Sequence, residues 1–169
     1  RKIIALCLTR LSNDETTAKV AELNKALVAK DYRLFVYNAC TDFYHNNRFE
    51  NAEKKVYSLI DYNVVDAVVI FSEAFKDTSI VDELRMDAEA HNVPVFILGN
   101  RSEKCTSFIF DYEAGFEQAV RHIIEYHGIT DTAMIAGFKG EEHSEQRIAV
   151  YKKVLAENGL PFNDNMLSY

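Results

Sequence analysis

The sequence predicts an α/β fold built on doubly wound parallel sheets. Two observations carry this prediction. Short apolar runs of strand length alternate along the chain with stretches in which apolar residues recur at helical spacing. The runs are apolar throughout, whereas a strand with one face in water would alternate apolar and polar residues, so we expect helices on both faces of each sheet.

Four cycles of this pattern predict a first lobe over residues 1–106. Asn13 or Asp14 is placed to cap the first helix, in which Val20, Leu23 and Leu27 recur at helical spacing. The strands are expected at residues 3–9, 34–37, 67–71 and 95–98, and the helices at residues 16–30, 49–62 and 79–91.

The rhythm breaks after Gly99, and we expect a second lobe over residues 107–169. Its strands are predicted at residues 107–110 and 132–136 and from residue 166, and its helices at residues 112–127 and 144–158. Because the pattern stops in mid-cycle, we expect this lobe to be incomplete. Its exposed sheet edge near residues 166–169 would then pair with a second copy, which predicts a homodimer.

Composition excludes several classes of function. The chain has 169 residues, of which 48% are hydrophobic and 27% charged, as in ordinary globular domains. A formal charge of −7 argues against nucleic-acid binding through this chain. No apolar run reaches the roughly 18 residues of a membrane span, and the opening run is too short for a signal peptide, so we expect a cytoplasmic location.

Sequence motifs for catalysis, cofactors and metals are missing. There is no GxGxxG, no GxxxxGK[ST] and no GxSxG, so we expect no cofactor and no catalytic residues. The three cysteines are widely spaced and predict reduced thiols. His122 and His127 lie five positions apart on a predicted helix, which does not present both to one metal as an i, i+4 pair would, so no metal site is expected.

Two stretches of the chain resemble LacI/GalR-type regulators. Residues 108–115 (FIFDYEAG) and 119–128 (AVRHIIEYHG) resemble the segment with which that family enters its second lobe. Residues 133–137 (AMIAG) and the S-x-x-R-x-x-x-aromatic pattern from Ser144 to Tyr151 are similar to its next strand and helix. Weaker resemblance runs through the earlier strands. It implies a periplasmic-binding-protein-like sensor that holds a small effector, sugar or nucleobase-like, between two lobes.

The resemblance also implies ligand contacts. Arg147 matches the family arginine that reaches the ligand's oxygens; the alternative is a surface arginine paired with Glu141 or Glu145. Asn100 stands where the family often has an aspartate. Phe110 stands where an apolar side chain packs on the ligand, with a core position as the alternative.

Three further candidates rest on topology alone. Ligands of open α/β sheets bind outside the carboxyl ends of the strands. Arg10 follows the first predicted strand, and Ser72 and Phe75 follow the third. Residues 13–16 depart from the aromatic segment that the family usually has before its first helix.

The resemblance does not decide which output domain is attached to the sensor. A helix-turn-helix headpiece would make a transcriptional regulator, and a diguanylate cyclase (GGDEF) domain would make a signalling enzyme. Two other classes remain: a solute-binding protein of a transport system and a small α/β enzyme. Only the last predicts turnover by this chain.

Overall fold

The computed structural model describes residues 2–45 and 47–169. The chain forms two compact units, Arg1–Ile109 and Phe110–Tyr169. The boundary lies a few residues after the predicted one at residue 106, because residues 106–108 form a strand of the first sheet rather than the start of the second lobe.

The first unit is built on a five-stranded parallel sheet with strand order β2-β1-β3-β4-β5. Its strands are β1 (Lys2–Thr9), β2 (Tyr32–Ala39), β3 (Ala67–Phe71), β4 (Val95–Leu98) and β5 (Thr106–Phe108). The strand order places β1 between β2 and β3. The carboxyl ends of all five strands therefore lie along one edge, as in any parallel sheet.

Three α-helices connect these strands: α1 (Asp14–Val28), α2 (Arg48–Lys54) and α3 (Thr78–Ala90). Asn13 caps α1, since its side chain accepts hydrogen bonds from the amides of residues 15 and 16. The helix predicted over residues 49–62 is shorter than expected: α2 ends at Lys54, and the chain tightens into a 3₁₀ helix over Lys55–Leu59. A shorter 3₁₀ turn, Ser72–Ala74, follows β3.

Neighbouring residues of β1 face opposite sides of the sheet, and both sides are covered. Ala5 and Cys7 belong to the larger core, together with residues of α3 and of the 3₁₀ helix after α2. Leu6 and Leu8 belong to a smaller core that is packed against residues of α1. Burial raises the pKa of the Cys7 thiol, so this group stays protonated. These two cores confirm the doubly wound arrangement.

The second unit contains two longer helices, α4 (Tyr112–Arg121) and α5 (Glu142–Glu157). Two short strands, β6 (Met134–Ile135) and β7 (Leu167–Ser168), pair in parallel. A π-helix over His122–Tyr126 continues α4. The core contains buried residues of α4, the π-helix, β6 and α5, namely Val120, Ile124, Met134, Ile148, Val154 and Leu155.

An ion-pair cluster on the surface of this unit joins α4 to α5. The guanidinium of Arg121 pairs with Glu117 at 2.8 Å and with Glu125 at 2.7 Å, and it also contacts Glu157. Lys153 of α5 lies 3.0 Å from Glu117. Because α4 and α5 supply both signs of charge, each helix helps to fix the position of the other.

Candidate ligand-binding residues

Arg10 lies just after β1, where Asp42 orients its guanidinium. Arg10 Nε lies 3.0 Å from Asp42 Oδ1. The Thr9 hydroxyl lies 3.1 Å from the same oxygen and 3.1 Å from the Ala74 carbonyl, and it donates its one hydrogen to either. The Asp42 side chain is 13% exposed and that of Arg10 57% exposed. Asp42 thus anchors an arginine that remains largely accessible at the carboxyl edge of the sheet.

Ser72 connects the ends of β3 and β4. Its hydroxyl donates to the Leu98 carbonyl at 3.2 Å and accepts from the Asn100 amide at 2.8 Å. Gly99 has a φ of 117°, and a Cβ built there would lie 2.3 Å from Cγ of Glu73. Only glycine permits this approach. Ser72 is 2% exposed, so its hydroxyl fixes the backbone that carries Asn100.

Phe75 lies inside the core of the first unit. It is 2% exposed and stacks on Phe43, with ring centroids 6.1 Å apart and planes within 2°. Tyr57 completes the aromatic cluster at 5.5 Å from Phe75 and donates its hydroxyl to the Leu8 carbonyl at 2.8 Å. These contacts give Phe75 a packing role. Ligand contact by this side chain stays a prediction that its burial does not support.

In the second unit, the turn after β6 lies against the first turn of α5. Glu141 caps α5: its carboxylate accepts from the Ser144 amide and from the Ser144 hydroxyl, both at 2.8 Å. Gly137 has a φ of 102°, and a Cβ built there would lie 2.8 Å from Ser144 Oγ and 3.7 Å from Nη2 of Arg147. A glycine at this position therefore allows the turn to approach Ser144 and Arg147 closely.

Arg147 projects from α5 beside this turn. Its Nη2 donates to the Ala136 carbonyl at 3.4 Å. Its Nε is buried and has no hydrogen-bond partner within the described part of the chain. The two carboxylates weighed as surface partners have other hydrogen bonds, since Glu141 caps α5 and Glu145 accepts from the Gly140 amide at 2.9 Å. The guanidinium therefore keeps a donor for another acceptor.

Aromatic side chains lie near the same end of α5. Tyr112 packs edge-on against His143 at 5.5 Å and lies 5.8 Å from Phe110. Phe110 and Tyr112 are each 46% exposed, so Phe110 is not a fully buried core residue. His143 and Arg147 are four positions apart on α5 and share one face of the helix. The second unit thus places two exposed rings next to an imidazole, on the helix face that also carries Arg147.

Sequence reasoning missed three of these residues. Tyr112 lies inside the family-like segment and His143 directly precedes Ser144. Both could therefore have been nominated from the motif. No sequence motif marks Asp42, because its pairing with Arg10 depends on the order of the strands in the sheet. Within residues 2–45 and 47–169, no three His, Cys, Asp or Glu side chains are grouped to hold a metal ion, and no helix is long and apolar enough to cross a membrane.

Comparison with known proteins shows that this fold is similar to that of solved transcriptional regulators. No protein-family model matches the sequence. No curated protein sequence matches it either. A sugar-binding transcriptional regulator of the LacI family from Escherichia coli, crystallised with phosphate, has a TM-score of 0.67 and 21% identity over 98% of this chain and 57% of its own.

Two further solved regulators have a similar fold. The transcription regulator CcpA of Lactococcus lactis has a TM-score of 0.73 and 18% identity over 99% of this chain and 59% of its own. A dimeric Lac repressor has a TM-score of 0.68 and 19% identity over 94% and 55%. The chain therefore has the α/β fold of these regulators, which confirms the predicted fold class, and it spans a little more than half of each of them.

Proposed function

We propose that this chain is the small-molecule-sensing part of a regulatory protein, with Arg147 as the central ligand contact. The supporting observation is the buried Nε of Arg147, which has no hydrogen-bond partner within the described residues. A buried donor without a partner costs about 1–3 kcal/mol. A ligand oxygen placed there would remove that cost, and a planar guanidinium recognises such oxygens well.

The surroundings of Arg147 support a ligand with both polar and apolar faces. Sugar rings have apolar faces that pack on aromatic side chains, while their hydroxyls accept hydrogen bonds. Phe110 and Tyr112 offer such rings in the same unit. A nucleobase would stack on the same rings, so we favour a sugar-like effector only on the likeness to a solved regulator. The similar regulator from Escherichia coli is itself described as sugar-binding.

In the first unit, Arg10 and Asn100 are our proposed ligand contacts. Arg10 is held by Asp42 with more than half of its side chain accessible. The Asn100 backbone is fixed by Ser72, and its side chain is partly exposed. Ser72 is assigned a supporting role, because its hydroxyl already bonds to the Leu98 carbonyl at the end of β4 and to the Asn100 amide.

Replacing Arg147 tests the proposal. A panel of ribose, glucose, cellobiose and inorganic phosphate is screened by thermal shift, and the compounds that bind are measured by calorimetry. Arg147→Gln should weaken binding about 10- to 100-fold, since a hydrogen bond from a charged donor contributes about 1.5–3 kcal/mol. Its effect on the ligand-free protein should be small, because the variant loses the long Nη2 bond to the Ala136 carbonyl but also loses a buried unpartnered donor.

Arg33→Lys, at an exposed position of β2, is the matched control and should bind like the wild type. A panel without any saturable binding would contradict the proposal. So would an Arg147→Gln variant with wild-type affinity.

For the whole protein, we propose a transcriptional regulator that acts as a homodimer in the cytoplasm, without catalysis by this chain. The three solved relatives named above are transcription regulators or repressors, and one is dimeric. These relatives favour a DNA-binding output over a diguanylate cyclase. Sedimentation velocity over a range of concentrations tests the dimer, and a strictly monomeric species would exclude it.

A further inference from the structure

A cluster of three rings lies where α4 continues as a π-helix. His122 and Tyr126 stack with centroids 4.9 Å apart and planes within 12°. His127 packs edge-on against both rings, at 4.6 Å and 5.1 Å. The Nε2 atoms of His122 and His127 lie only 3.0 Å apart. All three side chains are exposed, so solvent reaches the pair.

The π-helix is what brings the two imidazoles together. The His127 amide donates to the His122 carbonyl at 3.1 Å, the i→i−5 bond that defines this helix. In an α-helix, residues five apart point in different directions, which is why the sequence predicted no shared ligand site. The wider turn brings the fifth residue nearer to the first, so the two imidazoles lie closer together than α-helical geometry predicts.

Without metal, the two nitrogens are within hydrogen-bond distance of each other, and the same separation also fits adjacent ligands of one ion. Metal–imidazole bonds of about 2.0–2.1 Å at a right angle place the nitrogens about 2.9 Å apart, and a tetrahedral angle places them about 3.3 Å apart. The 3.0 Å separation is nearer to the first value. Cu²⁺ and Ni²⁺ favour square-planar or tetragonal sites and bind imidazole well.

We propose that His122 and His127 form a two-histidine site for a divalent transition-metal ion of tetragonal preference, Ni²⁺ or Cu²⁺, with water in the remaining positions. Tyr126 stacks on His122 and limits its rotation, so less conformational freedom is lost on binding. The site is separate from the proposed effector contacts at Arg147.

Calorimetry with NiCl₂ tests the site in the full chain without a histidine tag. All variants carry Cys40→Ser, because Cys40 is an exposed thiol and a competing metal ligand. One Ni²⁺ should bind per chain. His122→Ala and His127→Ala should each weaken binding about tenfold or more, since the remaining histidine loses the advantage of a second, linked ligand.

His91→Ala is the matched control. His91 is also exposed and also stacks on a tyrosine, Tyr62, at 5.2 Å, but its Nδ1 pairs with the Asp87 carbonyl rather than with another imidazole. This variant should bind Ni²⁺ like the wild type. Paramagnetic broadening of the imidazole nitrogen signals should be strongest at residues 122 and 127.

The absence of saturable binding would overturn the site. So would equal losses in the His91→Ala and His127→Ala variants, or broadening centred on other histidines. Circular dichroism checks that each variant folds, and His127→Gln repeats the test with a polar side chain if His127→Ala does not fold. None of these results depends on effector binding, so the site and the proposed function can fail separately.

Discussion

Two tyrosine hydroxyls in the first unit are both buried, but only one has a partner among the described residues. Tyr57 donates to the Leu8 carbonyl at 2.8 Å across the main core. Burial raises the pKa of Tyr57, so the phenol stays protonated and remains a donor. The Tyr62 hydroxyl has no hydrogen-bond partner within the described residues. The same chemical group therefore stabilises the fold at one position and costs free energy at the other.

Removing each hydroxyl should have opposite effects on stability. Tyr57→Phe should lower the free energy of unfolding by about 1–2 kcal/mol, because the Leu8 carbonyl loses its donor. Tyr62→Phe should leave it unchanged or raise it, since a buried unpartnered group is removed. Urea unfolding of both variants measures the difference, and equal losses would contradict the assigned hydrogen bond.

Gly137 offers a second test at the level of single residues. Its φ of 102° and the 2.8 Å from a built Cβ to Ser144 Oγ make alanine strained there. We expect Gly137→Ala to destabilise the protein by about 1–3 kcal/mol. Gly115 lies inside α4 with nothing within 4 Å of a built Cβ, so Gly115→Ala should stabilise by about 0.5–1 kcal/mol.

Both glycine variants are compared by thermal unfolding. A Gly137→Ala protein as stable as the wild type would mean that the turn relaxes away from Ser144. In that case the position of Arg147 beside the turn would also be in doubt, and its ligand affinity should be measured in the same variant.

Single residues also mark the limit of sequence-based prediction. Arg147 was nominated because a linear motif carries it, and its role as a ligand contact stays a prediction. Asp42 was missed because it follows β2 while its partner, Arg10, follows β1. His122 and His127 lie closer together than the sequence predicted, because periodicity rules assume 3.6 residues per turn and the apolar pattern does not show the change to a π-helix.

At the level of elements, the Arg121 cluster makes the packing of α4 on α5 sensitive to acid. Hydrogen bonds from Arg121, and then from Lys153, lower the pKa of Glu117 below its ordinary value of 4.5. The pKa of Glu125 is lowered in the same way by hydrogen bonds from Asn158 and Arg121. A lowered carboxyl pKa stabilises the folded state above the ordinary value, and this contribution is lost as pH falls through the folded-state pKa.

Glu117→Gln should therefore reduce the acid sensitivity of folding. The wild-type melting temperature should fall more steeply than that of the variant as the pH drops below about 4.5. Glu22→Gln on α1 is the control and should keep the wild-type slope, because Glu22 is exposed and lies 3.7 Å from an exposed lysine. Melting curves from neutral to acid pH test this prediction. If the melting temperature fell equally steeply in the wild type and in Glu117→Gln, the cluster would not be the cause of the acid sensitivity.

Element types were predicted better than element ends. β3 and β4 match the predicted ranges, because short buried strands stand out as continuous apolar runs. The helix after β2 was predicted too long: its apolar spacing continues past Lys54 although the backbone tightens to 3₁₀ there. Residues 107 and 108 were predicted in the second lobe but belong to β5 of the first sheet, since a strand's sequence does not reveal which neighbour it pairs with.

For the whole molecule, the fold class followed from the alternation of strands and helices, and the comparisons confirm it. Strand order did not follow from this pattern. The sequence places β1 first, but the sheet places it between β2 and β3. Which residues meet at the carboxyl edge depends on this order, so Arg10 and Asn100 could be nominated from sequence while their supporting partners Asp42 and Ser72 required the structure.

The inner position of β1 also has a consequence for synthesis on the ribosome. Ile4 of β1 pairs with Ala67 of β3, 63 positions later in the chain. At about 5–20 residues per second, the ribosome needs about 3–13 s to deliver that partner. During this interval one edge of an apolar strand is unpaired, which is the condition under which chaperones bind nascent chains and strands associate between molecules. A slower stretch of translation before residue 67 would lengthen this exposure, and faster elongation there would shorten it.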